Sequence, residues 1–187
     1  CYAGLKSFAE DHDGKLPWKV INTKGGSADD LGRYKNNFKH WQVLSNYLKS
    51  PQIVRCSVDS GRIQANSWLD KKPKDFENFI PFNGNRTFSY FIASDSILTG
   101  PDYVLAGSRN LSYGKYLNDS DSKGSIKRFK NAYPPSSNIK PRWSASLHSG
   151  KGMLLMSSGH VNYNTLLADY LKKTENKDNI FHLPAKN

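Results

Sequence analysis

The stretch that decides the fold is CYAGLKSFAEDHDGKLPW, residues 1–18. Its apolar side chains repeat at the three- or four-residue spacing of one helix face: Cys1, Leu5, Phe8 and Ala9. The stretch predicts a helix that ends near Asp13 and Gly14, because glycine adopts the left-handed cap conformation and Pro17 prevents continuation. Since the first three residues offer no capping side chain, we expect the helix to enter from residues upstream of this sequence.

The rest of the chain separates into helix-like and strand-like patterns. A second helix is predicted near residues 37–49, where apolar residues again repeat every three or four positions before Ser50-Pro51. A C-terminal helix is predicted near residues 165–173. Short β-branched and aromatic runs predict strands of an antiparallel sheet: residues 51–57, 86–93, 102–108, 152–158 and 160–164. This order indicates the α+β class, and a length of 187 residues suits one domain, residues 1–187.

The chain is strongly basic, with 27 Lys and Arg against 16 Asp and Glu and a formal net charge of +11. Such a charge favours anionic partners such as nucleic acid, lipid headgroups or acidic polymers. No acidic residue lies between Asp121 and Asp169, and aromatic residues are interleaved with the basic ones there. The candidate surface for an anionic partner, called here the basic surface, comprises Lys123, Lys127, Arg128, Lys130, Lys140 and Arg142. The alternative is a solvated face on a protein that is basic throughout.

The stretch HSGKGMLLMSSGHV, residues 148–161, allows three interpretations. Ser158, His148 and Asp169 are the residue types of a hydrolase triad, but the sequence lacks the Gly-x-Ser-x-Gly elbow. His148 and His160 would be two zinc ligands where a site needs three or four. The third interpretation is a β-hairpin that turns at residues 157–159, with glycine at a positive φ. The sequence favours the hairpin and predicts no catalytic residue.

Two other features leave alternatives open. Asp11 and Asp13, placed before Gly14, have the alternate spacing of a calcium loop, but its remaining ligands are missing and helix termination is the favoured role. No other cofactor is predicted. Cys1 and Cys56 would form one long-range disulfide in an oxidising compartment or remain two thiols in a reducing one.

The order of segments resembles that of the type IV pilin-like proteins, and specifically the G-type pseudopilins of type II secretion. The resemblance covers nearly the whole chain and is carried by C-x3-L-x2-FAEDHDGKLPW, LSNYLKSPQIVRCSVD, SYFIASDS, VLAGSRNL and the lone Trp143 before LHSGKGMLLMSSGHV. In that group a histidine is followed by nine residues and then Asp-Gly. Here the corresponding family motif is His148, then Ser158, Gly159 and His160, so Ser158 replaces the family aspartate. Likewise, Cys56-Ser57-Val58-Asp59 stands where a Cys-Pro-Ser-Asp turn is common.

The resemblance implies a long N-terminal helix whose first half is a membrane anchor absent from this sequence, with an antiparallel sheet packed on its second half. It implies a structural subunit, not an enzyme, of a bacterial type IV pilus or type II secretion pseudopilus. Such a subunit is made as a prepilin, sits in the inner membrane with its head outside the cytoplasm, and assembles into a periplasmic or extracellular filament.

The partners implied are other subunits, through the N-terminal helix, and the inner membrane, through the removed segment. With an extracytoplasmic head, a disulfide from Cys1 to Cys56 would tie the helix to the sheet. The alternative function is a pilin-like binding module whose basic surface contacts DNA, a glycan or a host surface. A hydrolase ranks third.

Overall fold

The computed structural model describes residues 1–100, 103–113, 116–117, 125–128, 141–164, 167 and 180–184. Within these ranges, helices α1 (Tyr2–Glu10) and α2 (Lys39–Gln42) precede the strands. The strands are β1 (Tyr90–Ala93), β2 (Val104–Ser108), β3 (Leu111–Tyr113), β4 (Tyr116–Leu117), β5 (Ser125–Arg128), β6 (Arg142–Trp143), β7 (Gly152–Met156), β8 (Val161–Asn164) and β9 (Ile180–Leu183). Mixed helix and antiparallel sheet agree with the predicted α+β class.

The strands form two sheets. The larger has six strands in the order β5-β9-β1-β2-β7-β8, and the smaller has three in the order β4-β3-β6. All of these strand pairs are antiparallel. β9 comes last in the chain yet lies between β5 and β1, and the sequence pattern did not predict this strand.

Helix α1 ends at Glu10, three residues before the predicted Asp13, and a turn leads from it to Gly14. Gly14 has φ 75°, and its backbone N–H donates to the Ala9 carbonyl at 2.8 Å, which closes the last turn. The apolar face of α1 is buried, with Leu5 at 0% and Phe8 at 1% exposure. This face supplies one side of the core.

The second helix is much shorter than predicted. The expected helix near residues 37–49 is an α-helix only over Lys39–Gln42, and turns follow it. No side chain caps its N-terminus, and Val43, Ser45 and Asn46 have low helix propensities. After Gln42, backbone hydrogen bonds that span three residues, as in turns, therefore largely replace the four-residue bonds of an α-helix. The apolar spacing was nevertheless informative, because Trp41, Leu44 and Leu48 are buried.

The strand predicted at residues 51–57 is wrong. Pro51–Val54 forms a 3₁₀ helix in which Pro51 occupies the first turn and the Ser50 hydroxyl accepts a hydrogen bond from the Gln52 N–H. The other four predicted strands overlap β1, β2, β7 and β8. The predicted C-terminal helix near residues 165–173 lies outside the described residues except for Leu167, which is buried.

The six-stranded sheet separates two apolar clusters. The α1-side cluster contains Leu5, Phe8, Trp41, Leu44, Ile92 and Leu105 among others. The opposite cluster includes Phe91 and Phe181, whose rings stack at 4.3 Å, together with Leu154 and Met156. Alternate residues of β1 and β7 therefore face opposite cores, as the period of two along a strand requires.

Candidate functional site

The hairpin of β7 and β8 lies against the start of α1. Leu155 pairs with Val161 across the hairpin, and Gly159 in its turn has φ 88°. A Cβ atom on Gly159 would lie 2.8 Å from the Tyr2 ring. The hairpin interpretation of residues 148–161 is therefore confirmed, and glycine is required both for the turn and for the contact with α1.

A buried ion pair fixes the turn that follows the 3₁₀ helix. Asp59 is 0% exposed, and the Arg109 guanidinium donates to both of its carboxylate oxygens at 2.6 Å. Arg62, also buried, places its Nε 4.0 Å from the same carboxylate. Bidentate pairing of this kind fixes orientation as well as charge.

The charge state of this cluster follows from its contacts. Burial alone would raise the pKa of the Asp59 carboxyl, but the hydrogen bonds and charge of Arg109, with a further contribution from Arg62, lower it overall. Burial, followed by the neighbouring Cys56 and Asp59, raises the pKa of Tyr90 to about 12. The carboxylate is therefore ionised and the phenol protonated at neutral pH.

Three consecutive residues at the end of β2 each fix a different segment. The Ser108 hydroxyl accepts from the Met153 N–H at 3.1 Å, Arg109 binds Asp59, and Asn110 Nδ2 lies within 3.0 Å of three carbonyl oxygens. Those carbonyls belong to Ser144, Leu147 and Lys151. Asn110 therefore holds the loop of residues 144–151 that leads into β7.

His148 lies in a left-handed turn of this loop. His148, Ser149 and Gly150 have φ values of 51°, 52° and 80°, a conformation that is costly for the first two residues. The turn brings His148 Nε2 to 3.6 Å from Cys56 Sγ. We call Cys56, Asp59, Arg109, Asn110 and His148 the polar junction, because they join the turn of residues 56–62, the end of β2 and the loop before β7.

The junction unites segments that are far apart in sequence. A thiol beside an imidazole is the residue pair used in nucleophilic cysteine chemistry, but Cys56 is only 7% exposed. The contact between Cys56 and His148 therefore joins the turn of residues 56–62 to the loop before β7 at a largely buried position.

Cys1 and Cys56 do not form a disulfide in this structure. Cys1 and Cys56 are both free thiols with different partners. Cys1 Sγ lies 3.6 Å from the Ile53 carbonyl oxygen, whereas Cys56 contacts His148. Of the two alternatives that the sequence leaves open, this structure therefore has the pair of thiols.

The other members of the family motif lie on the surface of the hairpin turn. Ser158 Oγ lies 2.6 Å from His160 Nδ1, and both residues are exposed. His148 has Cys56 as its partner instead, so the structure brings together neither the Ser158 and His148 of the triad interpretation nor the two histidines of the zinc interpretation. Asp169 lies outside the described residues.

The two carboxylates of the candidate calcium loop point to different partners. Asp11 accepts a hydrogen bond from the Tyr47 hydroxyl at 2.9 Å. The Asp13 side chain is 94% exposed and lies 4.0 Å from Lys15 Nζ. Asp11 is the C-cap residue of α1 and Asp13 has φ 54°, so both residues lie where the helix terminates. In the part of the chain that the structure describes, no three His, Cys, Asp or Glu side chains gather to hold a metal ion.

Only part of the basic surface is described. Lys127 and Arg128 belong to β5, an edge strand of the larger sheet, and Arg142 is an exposed residue of β6 at an edge of the smaller one. Lys123, Lys130 and Lys140 lie outside the described residues. The structure thus places the three described members on two different sheets.

An apolar groove of about 270 Å³ opens beside the N-terminus of α1. Its lining includes Tyr2, Trp41 and Tyr90, together with Met153 and Leu155 of β7. The groove continues onto the exposed face of β8, where Val161 is 58% and Tyr163 is 53% exposed. Among the described helices, none combines the length and the hydropathy that a membrane span requires.

Sequence reasoning did not predict the polar junction. Asp59 and Arg109 stand in segments that carry the family resemblance, yet nothing in the spacing pairs two residues 50 positions apart. The available signal was weak: Ser108-Arg109-Asn110 is a polar triplet directly after the apolar run of β2. Polar residues at that position are buried only if they have partners.

Comparison with known proteins gives no match, since no family model, no curated protein and no solved structure matches this chain.

Proposed function

We propose that this chain is the head of a structural subunit of a bacterial type IV pilus or type II secretion pseudopilus, acting by assembly and not by catalysis. The observation that carries the proposal is the packing of α1 on the six-stranded sheet, with Leu5 and Phe8 in the same apolar cluster as Ile92 and Leu105. A helix that packs its apolar face on an antiparallel sheet is the arrangement that the resemblance implies.

The contacts between the resembling segments support the same proposal. Tyr2 contacts Gly159, Cys56 contacts His148, and Asp59 binds Arg109. Each contact joins two different segments that carry the resemblance. The apolar groove and the exposed β8 face give the head a surface that suits packing against other subunits.

The test uses the full-length precursor, produced with an epitope tag in cells that contain a prepilin peptidase and the assembly machinery. We expect the peptidase to shorten the protein and the shortened form to appear in sheared filaments by immunogold electron microscopy. A tagged protein that is neither processed nor incorporated, and whose deletion leaves secretion and filaments unchanged, would contradict the proposal.

A matched pair of variants sharpens the test. Val161→Asp places a charge on the exposed β8 face and should lower filament incorporation severalfold without changing the melting temperature of the head. Ile97→Asp changes a residue that is 44% exposed and does not line the groove, so incorporation should be unaffected. Equal incorporation of the two variants would exclude the β8 face as a subunit contact.

A second function is favoured by the net charge of +11 and by the basic residues of β5. In this role the pilin-like head binds DNA or another anionic polymer through the basic surface. Binding should weaken steeply with salt and should be lost after charge reversal at Lys127 and Arg128. Charge reversal at Lys6, on α1, and at Lys15, just beyond it, is the control and should leave binding unchanged. Unchanged binding after charge reversal at Lys127 and Arg128 would show that the basic surface is not the binding site.

A further inference from the structure

Two histidines are buried against each other where residues 27–42 pack on β9. His40 is 0% exposed and His182 is 4% exposed. Their ring centres lie 5.9 Å apart, and the planes are inclined at 74°. Beside them, Asn37 Nδ2 donates to the Leu183 carbonyl oxygen at 2.8 Å. The contact therefore joins an early segment to the last described strand.

Both rings have a buried nitrogen that lacks a hydrogen-bond partner within the described residues. His40 Nδ1 lies 2.8 Å from Ser27 Oγ, but His40 Nε2 and His182 Nδ1 are unpaired. A second proton on either ring would place a positive charge in a site with no acceptor for that nitrogen. The packing is therefore compatible with neutral rings only.

Within the described residues, carboxylates face both rings. Asp30 faces His40, and Asp95 faces His182, and each carboxylate favours protonation of its imidazole. Both carboxylates already accept hydrogen bonds, Asp30 from Lys39 and Asp95 from the Ile180 N–H. Burial opposes protonation more strongly than the carboxylates favour it. Burial, followed by the neighbouring His182, lowers the pKa of His40 to about 3. Burial lowers the pKa of His182 to about 4.

We propose that the contact between His40 and His182 is an acid-released latch. It holds residues 27–42 on β9 at neutral pH and releases them when the medium becomes acidic. The opened state exposes both rings to water, where an imidazole has a pKa of about 6.5. For each histidine, at a pH between the low pKa of the buried ring and the value of about 6.5 of the exposed ring, the opened state binds more protons than the closed state. Stability is thus fully present above about pH 6.5 and is lost as the pH falls towards the folded values.

The expected effect is large enough to measure. Between pH 7 and pH 5 the opening constant should rise about 25-fold for each histidine, because the opened state gains protons that the closed state excludes. Amide hydrogen exchange, corrected for the pH dependence of the intrinsic rate, reports this constant for each segment. Protection should fall in peptides covering residues 27–42, and much less in β9, whose amides pair with β5 and β1, and in the hairpin of β7 and β8.

A matched variant separates the latch from general acid unfolding. His182→Phe keeps an aromatic ring against His40 but removes one titrating group, so the loss of protection between pH 7 and pH 5 should shrink about 25-fold. His160→Phe, at an exposed position, is the control and should behave like the original protein.

Two results would overturn the latch. One is equal protection of residues 27–42 at pH 7 and pH 5, and the other is an equal loss of protection in His182→Phe. If that variant does not fold, nuclear magnetic resonance titration of the imidazoles in the original protein decides the question. Rings that titrate near pH 6.5 while the segment stays protected would contradict the proposal.

Discussion

The α1-side cluster and the polar junction both connect distant parts of the chain, but by opposite means. In the cluster, α1 packs Leu5 and Phe8 against aliphatic and aromatic side chains of the sheet. In the junction, Arg109 meets Asp59 through two hydrogen bonds of 2.6 Å. The first contact is nondirectional and scales with the apolar area buried, whereas the second depends on the position of each atom.

This difference predicts different tolerance to substitution. A core accepts another apolar side chain of similar volume because the contact energy is spread over many atoms. A buried ion pair does not accept the loss of one partner, since the other charge is then buried alone. The polar junction should therefore be the more sensitive region, although it buries less apolar surface.

Removal of the Arg109 guanidinium should have the largest effect. Arg109→Ala leaves the Asp59 carboxylate buried without its bidentate partner, and we expect the free energy of unfolding to fall by about 3–5 kcal/mol in urea titrations. Lys15→Ala is the matched control, because Lys15 pairs with Asp13 on the surface and its loss should cost under about 1 kcal/mol. A penalty below about 1 kcal/mol for Arg109→Ala would show that the ion pair does not stabilise the junction.

The penalty of Arg109→Ala should also depend on pH. The lowered pKa of Asp59 means that its contribution is present above its unfolded value of about 3.8 and is lost as the pH falls through the folded value. The difference between the original protein and the variant should therefore shrink below about pH 4. A difference that is constant from pH 7 to pH 3 would indicate that the penalty comes from lost packing and not from charge.

A Cβ atom at Gly159 should have the next largest effect. Gly159→Ala combines a positive φ with a close approach to the Tyr2 ring, whereas Gly14→Ala has a positive φ and no atom within 4 Å of the new Cβ. We expect about 1–2 kcal/mol for Gly14→Ala and at least about 1 kcal/mol more for Gly159→Ala. Equal penalties in thermal unfolding would mean that Tyr2 moves away at no cost, so that α1 is only loosely held against the hairpin.

Periodicity revealed the parts of the fold whose signal is local. The apolar spacing of α1 and the following Gly14 predicted a helix and its termination, and the two strand-like runs on either side of the turn at residues 157–159 predicted the hairpin. The same reasoning failed at Pro51–Val54, where β-branched residues suggested a strand but Pro51 started a 3₁₀ helix. Local propensity is a weak guide when a proline decides the turn.

Long-range contacts could not be predicted in this way. β9 pairs with β1 across 90 positions, as Ile92 with His182, and no feature of the run IFHL indicates which strands it joins. The pairing of Asp59 with Arg109 could not be predicted for the same reason, because both side chains are buried only after the sheet has formed. Charged residues usually predict exposure, so a sequence pattern alone places these two on the surface.

Volume-conserving substitutions give a direct comparison of the two regions. Leu5→Met keeps an apolar side chain of similar volume and should cost under about 1.5 kcal/mol. Arg109→Met keeps a long side chain but removes the charge, and should cost nearly as much as Arg109→Ala. Chemical denaturation of the two methionine variants checks the contrast, and similar penalties would show that the junction is held by packing in the same way as the α1-side cluster.

Reduction should have the smallest effect, because both cysteines are free thiols in the structure. We expect two thiols per chain to react with a thiol reagent in denaturant without reductant, and a melting temperature that reductant shifts by less than about 1 °C. Absence of reactive thiols, with a lower melting temperature on reduction, would show that Cys1 and Cys56 pair in solution. The disulfide would then close a loop of about 55 residues and contribute about 3–4 kcal/mol to stability. The contact of α1 with the rest of the head would be covalent as well as apolar.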